Sequence, residues 1–355
     1  MKRIFTFFFM LVFWVLLIAC TPAFTDQSQS LRFSLIEYKS NLIYEEKGGY
    51  GSPAWLSDEY IAIIYDPPYF EGYPQDSRIH LYNVTNDKWS EIGPSLIDAF
   101  SFKYGILYMG MLSRLPNGNL GISYHSYGDG SGTGYDETQG IVEYDIDTGI
   151  AKIINQFDKD VIGVAVEFSY SPDMNELIQG DFTNRLIGTK LYYIGTNNIT
   201  QIVPDFIRAD GPAWSPHKRE IAFWGTEKLP GNMLPTQIAD DFDLINVVHT
   251  PWDLYLSAPD GSNLRKIVSS VREHRSATWS PTRENIIAFS GIYNGVPGVW
   301  LLDLNTMNIT RIYDDSVNGL DWSPDGSKIV IVKETNAIEN FPKHEYLIGI
   351  INVSQ

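Results

Sequence analysis

The side chains that most often carry out chemistry in proteins are spread through this sequence without a catalytic pattern. The histidines lack the spacing of metal ligands, and the Gly-x-Ser-x-Gly motif of serine hydrolases is absent. We therefore predict no catalytic residue, no metal site and no cofactor. A carboxylate pair suited to glycoside chemistry remains an open alternative, because Asp and Glu are abundant. The histidines are His80, His125, His217, His249, His274 and His344.

The run Arg272-Glu273-His274-Arg275 is a local basic cluster in a chain whose formal net charge is −17. Such a cluster could bind a carboxylate or an acidic partner. The alternative, which we favour, is that it pairs with Asp210, Asp314 and Asp315 and forms a structural rim.

A glycine-rich run at residues 128–134 does not have the Gly-Lys-Ser/Thr ending of a phosphate-binding loop. Its oxygen-bearing side chains and those that follow could form a calcium site. A solvated loop is the favoured interpretation. The side chains in question are Asp129, Ser131, Thr133, Asp136 and Glu137.

Cys20 lies where a bacterial lipobox requires a cysteine. Two basic residues and an apolar stretch at 4–16 precede Leu17-Ile18-Ala19-Cys20, and the chain has no other cysteine. We predict that residues 1–19 are a lipoprotein signal peptide, that Cys20 is acylated and that residues 20–30 are a tether. An uncleaved membrane anchor is the alternative, although the apolar stretch is short for a spanning helix.

The acidic charge argues against nucleic acid as a partner, because phosphate binding needs a basic surface. It also argues against electrostatic adhesion to anionic lipid, so the lipid on Cys20 must hold the chain at its membrane. With a single cysteine no intramolecular disulfide can form. We expect a monomer in the cell envelope, periplasmic or at the cell surface.

The elements that must position these residues form an internal repeat. In Trp322-Ser323-Pro324-Asp325-Gly326 the Pro, Asp and Gly favour a turn, and the apolar run 329–332 that follows favours a buried strand. In the four clear copies an aromatic residue stands seven positions before the first apolar residue of the strand. The other copies begin at Trp214, Trp279 and Tyr170, with weaker ones at Trp55 and Leu115.

Each copy continues into a strand, a tight Asp/Asn turn and another strand, for example at residues 78–92 and 299–313. Six repeats of four antiparallel strands predict an all-β, six-bladed β-propeller over residues 31–355. The sixth repeat lacks its outermost strand. We therefore expect the N-terminal residues 41–46 to pair with 346–351 and close the ring.

The Trp-Ser-Pro-Asp-Gly units and the Asp/Asn-turn hairpins resemble the TolB-type, WD-repeat-like propeller family over about residues 41–355. Members of that family serve as periplasmic scaffolds, as gates on peptidases and as sugar-processing enzymes. The resemblance implies an envelope lipoprotein that binds a protein or peptide. The alternative is a carbohydrate-active enzyme or sugar-binding propeller.

Propeller topology gathers the loops 66–77, 125–139, 226–251 and 334–344 on one face, which we call the loop face. The Trp-Ser-Pro turns lie on the opposite face, which we call the turn face. Loops on a rigid scaffold often carry function, and aromatic residues are favoured interface anchors. The candidate partner-binding residues are Tyr69, Tyr127, Arg208, Asp210, Arg272 and His274.

Replacement of Cys20 tests the predicted anchor. Cys20→Ser removes the thiol that would be acylated, so an unprocessed precursor without labelled fatty acid is expected in the native membrane fraction. Processing and labelling equal to those of the parent chain would show that Cys20 is not the lipidated residue.

Overall fold

The computed structural model describes residues 32–44, 49–66, 78–92, 106–127, 138–157, 165–181, 190–196, 198–227, 251–273, 277–337 and 344–354. These residues form twenty-four strands in six four-stranded antiparallel sheets. The predicted all-β, six-bladed propeller is confirmed. No helix in the described ranges could cross a membrane. The predicted signal peptide, Cys20 and the tether lie outside the described residues.

Blades 1 to 3 each contain four consecutive strands. Blade 1 contains β2 (Gly49–Trp55), β3 (Tyr60–Asp66), β4 (Arg78–Asn83) and β5 (Lys88–Glu91). Blade 2 contains β6 (Ile106–Arg114), β7 (Leu120–Tyr127), β8 (Thr138–Asp145) and β9 (Ile150–Phe157). Blade 3 contains β10 (Ala165–Tyr170), β11 (Leu177–Asp181), β12 (Lys190–Ile194) and β13 (Ile199–Ile202).

Blades 4 and 5 repeat this order, and blade 6 takes its fourth strand from the start of the chain. Blade 4 contains β14 (Arg208–Trp214), β15 (Ile221–Thr226), β16 (Trp252–Ser257) and β17 (Arg265–Val271). Blade 5 contains β18 (Ala277–Trp279), β19 (Ile286–Tyr293), β20 (Val296–Asp303) and β21 (Asn308–Tyr313). Blade 6 contains β22 (Gly319–Trp322), β23 (Lys328–Ala337), β24 (His344–Ser354) and β1 (Arg32–Tyr44).

The ring closes as the sequence predicts, by pairing of the N-terminal strand with the C-terminal strand. The sheet of blade 6 has the order β1-β24-β23-β22, so β1 is the outermost strand. The strand begins nine residues earlier than the predicted residue 41 and ends at Tyr44. Closure covers an apolar face of blade 1 with blade 6; an open ring would expose that face together with unpaired backbone groups.

The Trp-Ser-Pro turns are held by the buried serine hydroxyl. In blade 6 the Ser323 hydroxyl donates to Asp325 Oδ1 at 2.6 Å and accepts from the Lys328 amide at 2.8 Å. Ser171 of blade 3 does the same with Asp173 at 2.6 Å and the Glu176 amide at 3.0 Å. The turn therefore has a fixed length, which explains the seven-residue spacing that the sequence shows.

The hydrophobic core lies between the blades. One cluster joins blade 6 to blade 1 and contains Trp55, Ile61, Val330 and Ile350 among others. Equivalent clusters join blades 1 and 2, 2 and 3, 3 and 4, and 4 and 5. Because each middle strand is buried on both faces, it is apolar at consecutive positions rather than at alternate ones.

The seam between blades 6 and 1 is packed too tightly for a side chain at Gly319. A Cβ there would lie 2.6 Å from Pro53 Cδ and 2.9 Å from Ser52 Cα, both of which are held by the backbone. We expect Gly319→Ala to destabilise the ring by roughly 1–3 kcal/mol, because overpacking forces the two strands apart. Chemical denaturation monitored by tryptophan fluorescence measures the change.

The matched control is Gly180→Ala in blade 3, where the nearest atom would be Glu167 Cβ at 3.3 Å. At this distance the contact is only slightly closer than ordinary van der Waals contact, so a shift of a few tenths of an ångström accommodates the methyl group. Equal losses of stability in the two variants would contradict the tight contact at the seam.

Candidate functional site in the central channel

The first strands of the six blades surround a central channel. At its turn-face end lies a cavity of about 450 Å³ to which every blade contributes. Its wall includes a proline from each Trp-Ser-Pro turn and from the strand ends before them. These prolines are Pro53, Pro116, Pro172, Pro212, Pro216, Pro281 and Pro324.

The wall of this cavity presents polar and apolar surface in nearly equal shares, so it is more polar than a typical small-ligand pocket. The aromatic residues are Phe168, Tyr170, Trp214, Trp279 and Trp322. Asp321 is the single carboxylate among the cavity-lining residues that the structure describes. This part of the channel therefore holds no carboxylate pair of the kind that glycoside hydrolysis requires.

Asp321 connects three blades at the seam. Its Oδ2 accepts a hydrogen bond from the Trp55 amide of blade 1 at 2.8 Å. Its carboxylate also accepts from the Thr278 hydroxyl of blade 5 and from the amide of Trp322. The charge of Arg114 in blade 2 acts on it as well.

Burial in the channel wall is the strongest influence on this carboxyl group. Desolvation raises the pKa of Asp321 to about 7, against the opposite effect of its hydrogen bonds and of Arg114. Asp321 therefore changes its charge near neutral pH, within a cavity that all six blades line. A strongly shifted pKa in a cleft is a mark of a functional site, but structural networks produce it too.

The tryptophans at the ends of the first strands have a structural role. Trp279 Nε1 donates to the Ala213 carbonyl of blade 4 at 3.0 Å, and Trp322 Nε1 donates to the Thr278 carbonyl of blade 5 at 3.3 Å. In blade 4 the Trp214 amide donates to Ser169 Oγ of blade 3 at 2.8 Å. As the sequence predicts, these residues are core, with at most 7% of their surface exposed.

Arg208 and Asp210 lie at the loop-face end of blade 4, in strand β14 rather than in the preceding loop. They are 3% and 7% exposed. The Arg208 guanidinium stacks on the Trp252 ring at 3.9 Å, and its Nε donates to Thr226 Oγ1 at 3.1 Å. Burial lowers the pKa of Arg208 to about 10, and Asp210 opposes that shift.

Together these contacts fix the two ends of the connection at residues 227–251, since Thr226 and Trp252 border it. Arg208 thus holds the base of the longest loop on the loop face. The sequence places this arginine among the surface residues, because nothing local to it shows that Trp252 will cover its side chain.

Arg272 is exposed at the loop face, where its backbone forms an isolated bridge with Ile292. Two of the three aspartates proposed as a rim have other partners: Asp315 pairs with Lys333 at 2.6 Å and Asp314 with Arg311 at 3.9 Å. The described residues therefore do not pair Arg272 with either of them. His274, Arg275 and Tyr69 lie outside the described residues, as does the 128–134 run, and of Tyr127 the structure describes the strand position only.

Asp321 and Arg114 were not predicted from the sequence. Both are departures from the repeat: Asp321 stands where other copies have Ala54, Ser169 or Ala213, and Arg114 replaces the aromatic residue in blade 2. An alignment of the six copies would have revealed both exceptions. What it could not show is that they belong to one channel.

Comparisons with known proteins agree with the fold. No family model matches the chain. An 83-residue segment is 32% identical to the Tol-Pal system protein TolB of Alcanivorax borkumensis; this segment is 23% of this chain and spans about a fifth, 19%, of that relative. A segment of the chain is thus similar to a TolB protein.

Among solved structures, a protein from Agrobacterium tumefaciens assigned as TolB has a TM-score of 0.52 at 16% identity, covering 92% of this chain and 99% of that one. TolB from Acinetobacter baumannii has a TM-score of 0.51 at 11% identity, with 91% and 80% covered. A gluconolactonase from Xanthomonas campestris has a TM-score of 0.51 at 10% identity, with 92% and 90% covered. At these identities the likeness shows the propeller fold alone.

The raised pKa of Asp321 predicts a pH dependence of stability. A carboxyl group whose pKa is higher in the folded chain than its ordinary 3.8 binds more protons folded than unfolded between about pH 4 and 7. Its contribution to stability is therefore lost as the pH rises through that window. Asp321→Asn should remove this loss, on the order of a few kcal/mol in full.

Thermal melts at pH 5, 6, 7 and 8 check this prediction. The melting temperature of Asp321→Asn, relative to that of the parent chain, should increase with pH. Comparing the two chains at each pH cancels the titration of all other groups. Parallel curves would mean that Asp321 titrates as it does in water.

Proposed function

We propose that the chain is an extracytoplasmic binding propeller, held at a membrane by lipid on Cys20, that takes a protein or peptide partner on its loop face. The observation that carries the proposal is the sheet order. In every blade the second strand runs to the loop face and the third strand returns from it. The long connections 67–77, 128–137 and 227–251 therefore share one face.

The turn face provides the contrast. Its connections are short in every blade, such as residues 56–59 in blade 1 and 323–327 in blade 6. A fold that needed only to close its sheets would have short connections on both faces. The tight hairpin of blade 5, where Asn294 and Gly295 alone join β19 to β20, shows that this propeller can be built without a long loop there. Long loops on one face alone support a recognition role.

The described part of the loop face provides a rigid base for those loops. Arg208 and Trp252 hold the ends of 227–251, and next to them the Tyr255 hydroxyl donates to Glu227 Oε1 at 2.6 Å. Lys266 pairs with Asp253 at 2.5 Å in the same blade. An ordered base lowers the conformational entropy that a loop loses when it binds a partner.

In this proposal Tyr69, Tyr127, Arg272 and His274 contact the partner, while Arg208 and Asp210 act from below by positioning the loop base. The exposed cation Arg272 attracts an acidic group on the partner, whereas the rest of the chain is acidic and would repel that group. An acidic partner would therefore dock near Arg272.

The carbohydrate-active alternative has one observation in its favour: a smaller cavity at the loop-face end of the channel is lined by Glu273, Asp315 and Glu334. We favour a binding role because the turn-face cavity has one carboxylate and the described residues contain no group of His, Cys, Asp and Glu side chains that could hold a metal ion. The similarity to TolB supports an envelope location and a protein partner for this chain. The shared propeller fold of the gluconolactonase carries no chemistry across at 10% identity.

Capture of the partner from the native cell envelope tests the proposal. The lipid-free chain is immobilised, and the retained protein is identified and then titrated. Replacement of Tyr69, Tyr127 and Arg272 together by Ala should weaken binding about tenfold or more, because aromatic and arginine anchors dominate interface energies.

The control carries three alanines at exposed positions of the turn face, Asp58, Lys88 and His217. It should bind as the parent chain does. Loss of binding in the control alone, or in neither variant, would contradict the assignment of the loop face.

A further inference from the structure

Four successive blades each display a large apolar side chain where the turn between the third and fourth strands meets the fourth strand. Ile150, Ile199, Leu264 and Met307 are 63%, 48%, 41% and 50% exposed. Ile150 and Ile199 open the outermost strands of their blades, Leu264 directly precedes β17, and Met307 is the last residue of the turn before β21. These turns lie at the turn face, so the four side chains form an arc along its edge, which we call the apolar arc.

Single exposed apolar residues are common on protein surfaces, but these four recur at the same turn in four blades, within one residue of each other's position. Four of the six large apolar side chains that are exposed in the described residues belong to it. In blade 1 the equivalent place holds the charged residues Asp87 and Lys88. The arc thus covers one side of the turn face, in blades 2 to 5.

Met307 has an unfavourable backbone conformation for its residue type. Its φ is 56°, in the left-handed region, where the corresponding turns have Asp87 at 54° and Gly149 at 69°. Asp and Gly tolerate this region better than a long side chain does. Because Met307 is exposed, it gains little packing energy within the chain to offset this backbone strain. We therefore expect its side chain to contact something other than this chain.

The same face is where the chain enters the propeller. Strand β2 starts at the loop face, since its last residue, Trp55, borders a turn-face turn. Only residues 45–48 separate β1 from the start of β2, so β1 must end at the loop face. The beginning of β1 therefore lies at the turn face.

We propose that the turn face docks on the surface of a lipid bilayer, with the apolar arc inserted between the headgroups. This inference rests on the proposed lipid anchor at Cys20. From Cys20 to β1 the chain has about twelve residues, which can reach at most roughly 40 Å when extended. An anchor of that length attached to the turn face keeps this face close to the membrane.

The chemistry of the turn face fits a zwitterionic rather than an anionic bilayer. Its turn carboxylates are engaged in their own turns: Asp173 and Asp325 accept from neighbouring groups, which lower the pKa of each to about 2 despite the opposite effect of desolvation. They remain charged at the membrane, and anionic lipid would repel them. Side chains such as Ile, Leu and Met supply the attraction by insertion at the headgroup boundary.

Docking by this face turns the loop face away from the membrane. The loops 67–77, 128–137 and 227–251 would then point towards the partner's compartment. Membrane attachment and partner binding would use opposite ends of the same blades and would not compete.

The test places one fluorescent label at either end of blade 5. Thr306→Cys lies on the turn face beside Met307, and Val296→Cys lies on the loop face; both positions are exposed. Each is labelled with an environment-sensitive dye, and quenching by spin-labelled lipid is measured in phosphatidylcholine vesicles. We expect about threefold or more quenching at position 306 relative to position 296, because only the docked face approaches the headgroups. Equal quenching, or more at 296, overturns the proposal.

Two preparations separate this inference from the proposed anchor. One is the full chain purified from native membranes. The other has a histidine tag in place of residues 1–20 and is held by nickel-chelating lipid, so that its attachment does not depend on acylation. If the tagged chain shows no preference for position 306, the docking proposal is wrong even where Cys20 carries lipid. If it shows the preference while Cys20 carries no lipid, docking stands and the proposed anchor is wrong.

A second variant tests the apolar arc itself. Ile150, Ile199, Leu264 and Met307 are replaced together by Ser in the tagged chain labelled at position 306. All four are at least 41% exposed, so the melting temperature should stay close to that of the parent chain. Quenching should fall to the level seen at position 296. Unchanged quenching in a folded variant would show that the arc is not the contact.

Discussion

A sheet that is apolar on both faces must be covered on both faces, and this constraint determines the architecture of the protein. The middle strands of the blades are buried at consecutive positions, as in Ile221–Thr226, where all six residues are buried. No single blade can satisfy that requirement, because its faces would remain in water. The blades therefore cover one another, and the series ends only when the first blade covers the last. The core clusters lie between blades for this reason, and the strand order of blade 6 follows from it.

The same constraint leaves the ends of the channel and the connections as the places where the sequence can depart from the repeat. Inside the blades every position is occupied by packing, and the tryptophans of the repeat are committed to hydrogen bonds between neighbouring blades. What remains variable is the connections and a few departures from the repeat. Asp321 is such a departure, at a place where three blades meet and where its carboxyl group is largely removed from water. Arg208 is another case of a charge held by the scaffold, stacked on Trp252 beneath a long loop.

The repeat made most of the fold accessible from sequence. The spacing from Trp322 to Ile329 is set by a turn that one serine hydroxyl closes, so local chemistry was sufficient to place it. Closure by the N-terminal strand followed from counting strands. For the hairpin of β19 and β20 in blade 5, parts of both strands were predicted from the sequence. The turn between them was not, although Asn294-Gly295 is a strong signal for a two-residue turn. The burial of Arg208 and the raised pKa of Asp321 could not be predicted from the sequence, because each depends on residues that are distant in sequence and meet only in the folded ring.

Closure by strands from the two ends of the chain also has a consequence for the order of folding. β1 is made first and β24 last, and they are hydrogen-bonded neighbours. Until β24 has been synthesised, β1 has no partner, and blade 1 has no neighbour on one side. The five complete blades can form from local contacts in sequence order, since each is a run of hairpins. Among the described strands, the pairing of β1 with β24 spans the longest stretch of chain, so the ring can close only after β24 has been synthesised. Until then the backbone groups of β1 are unpaired and can form hydrogen bonds with another polypeptide chain. A chaperone that binds β1 during this interval would prevent such aggregation.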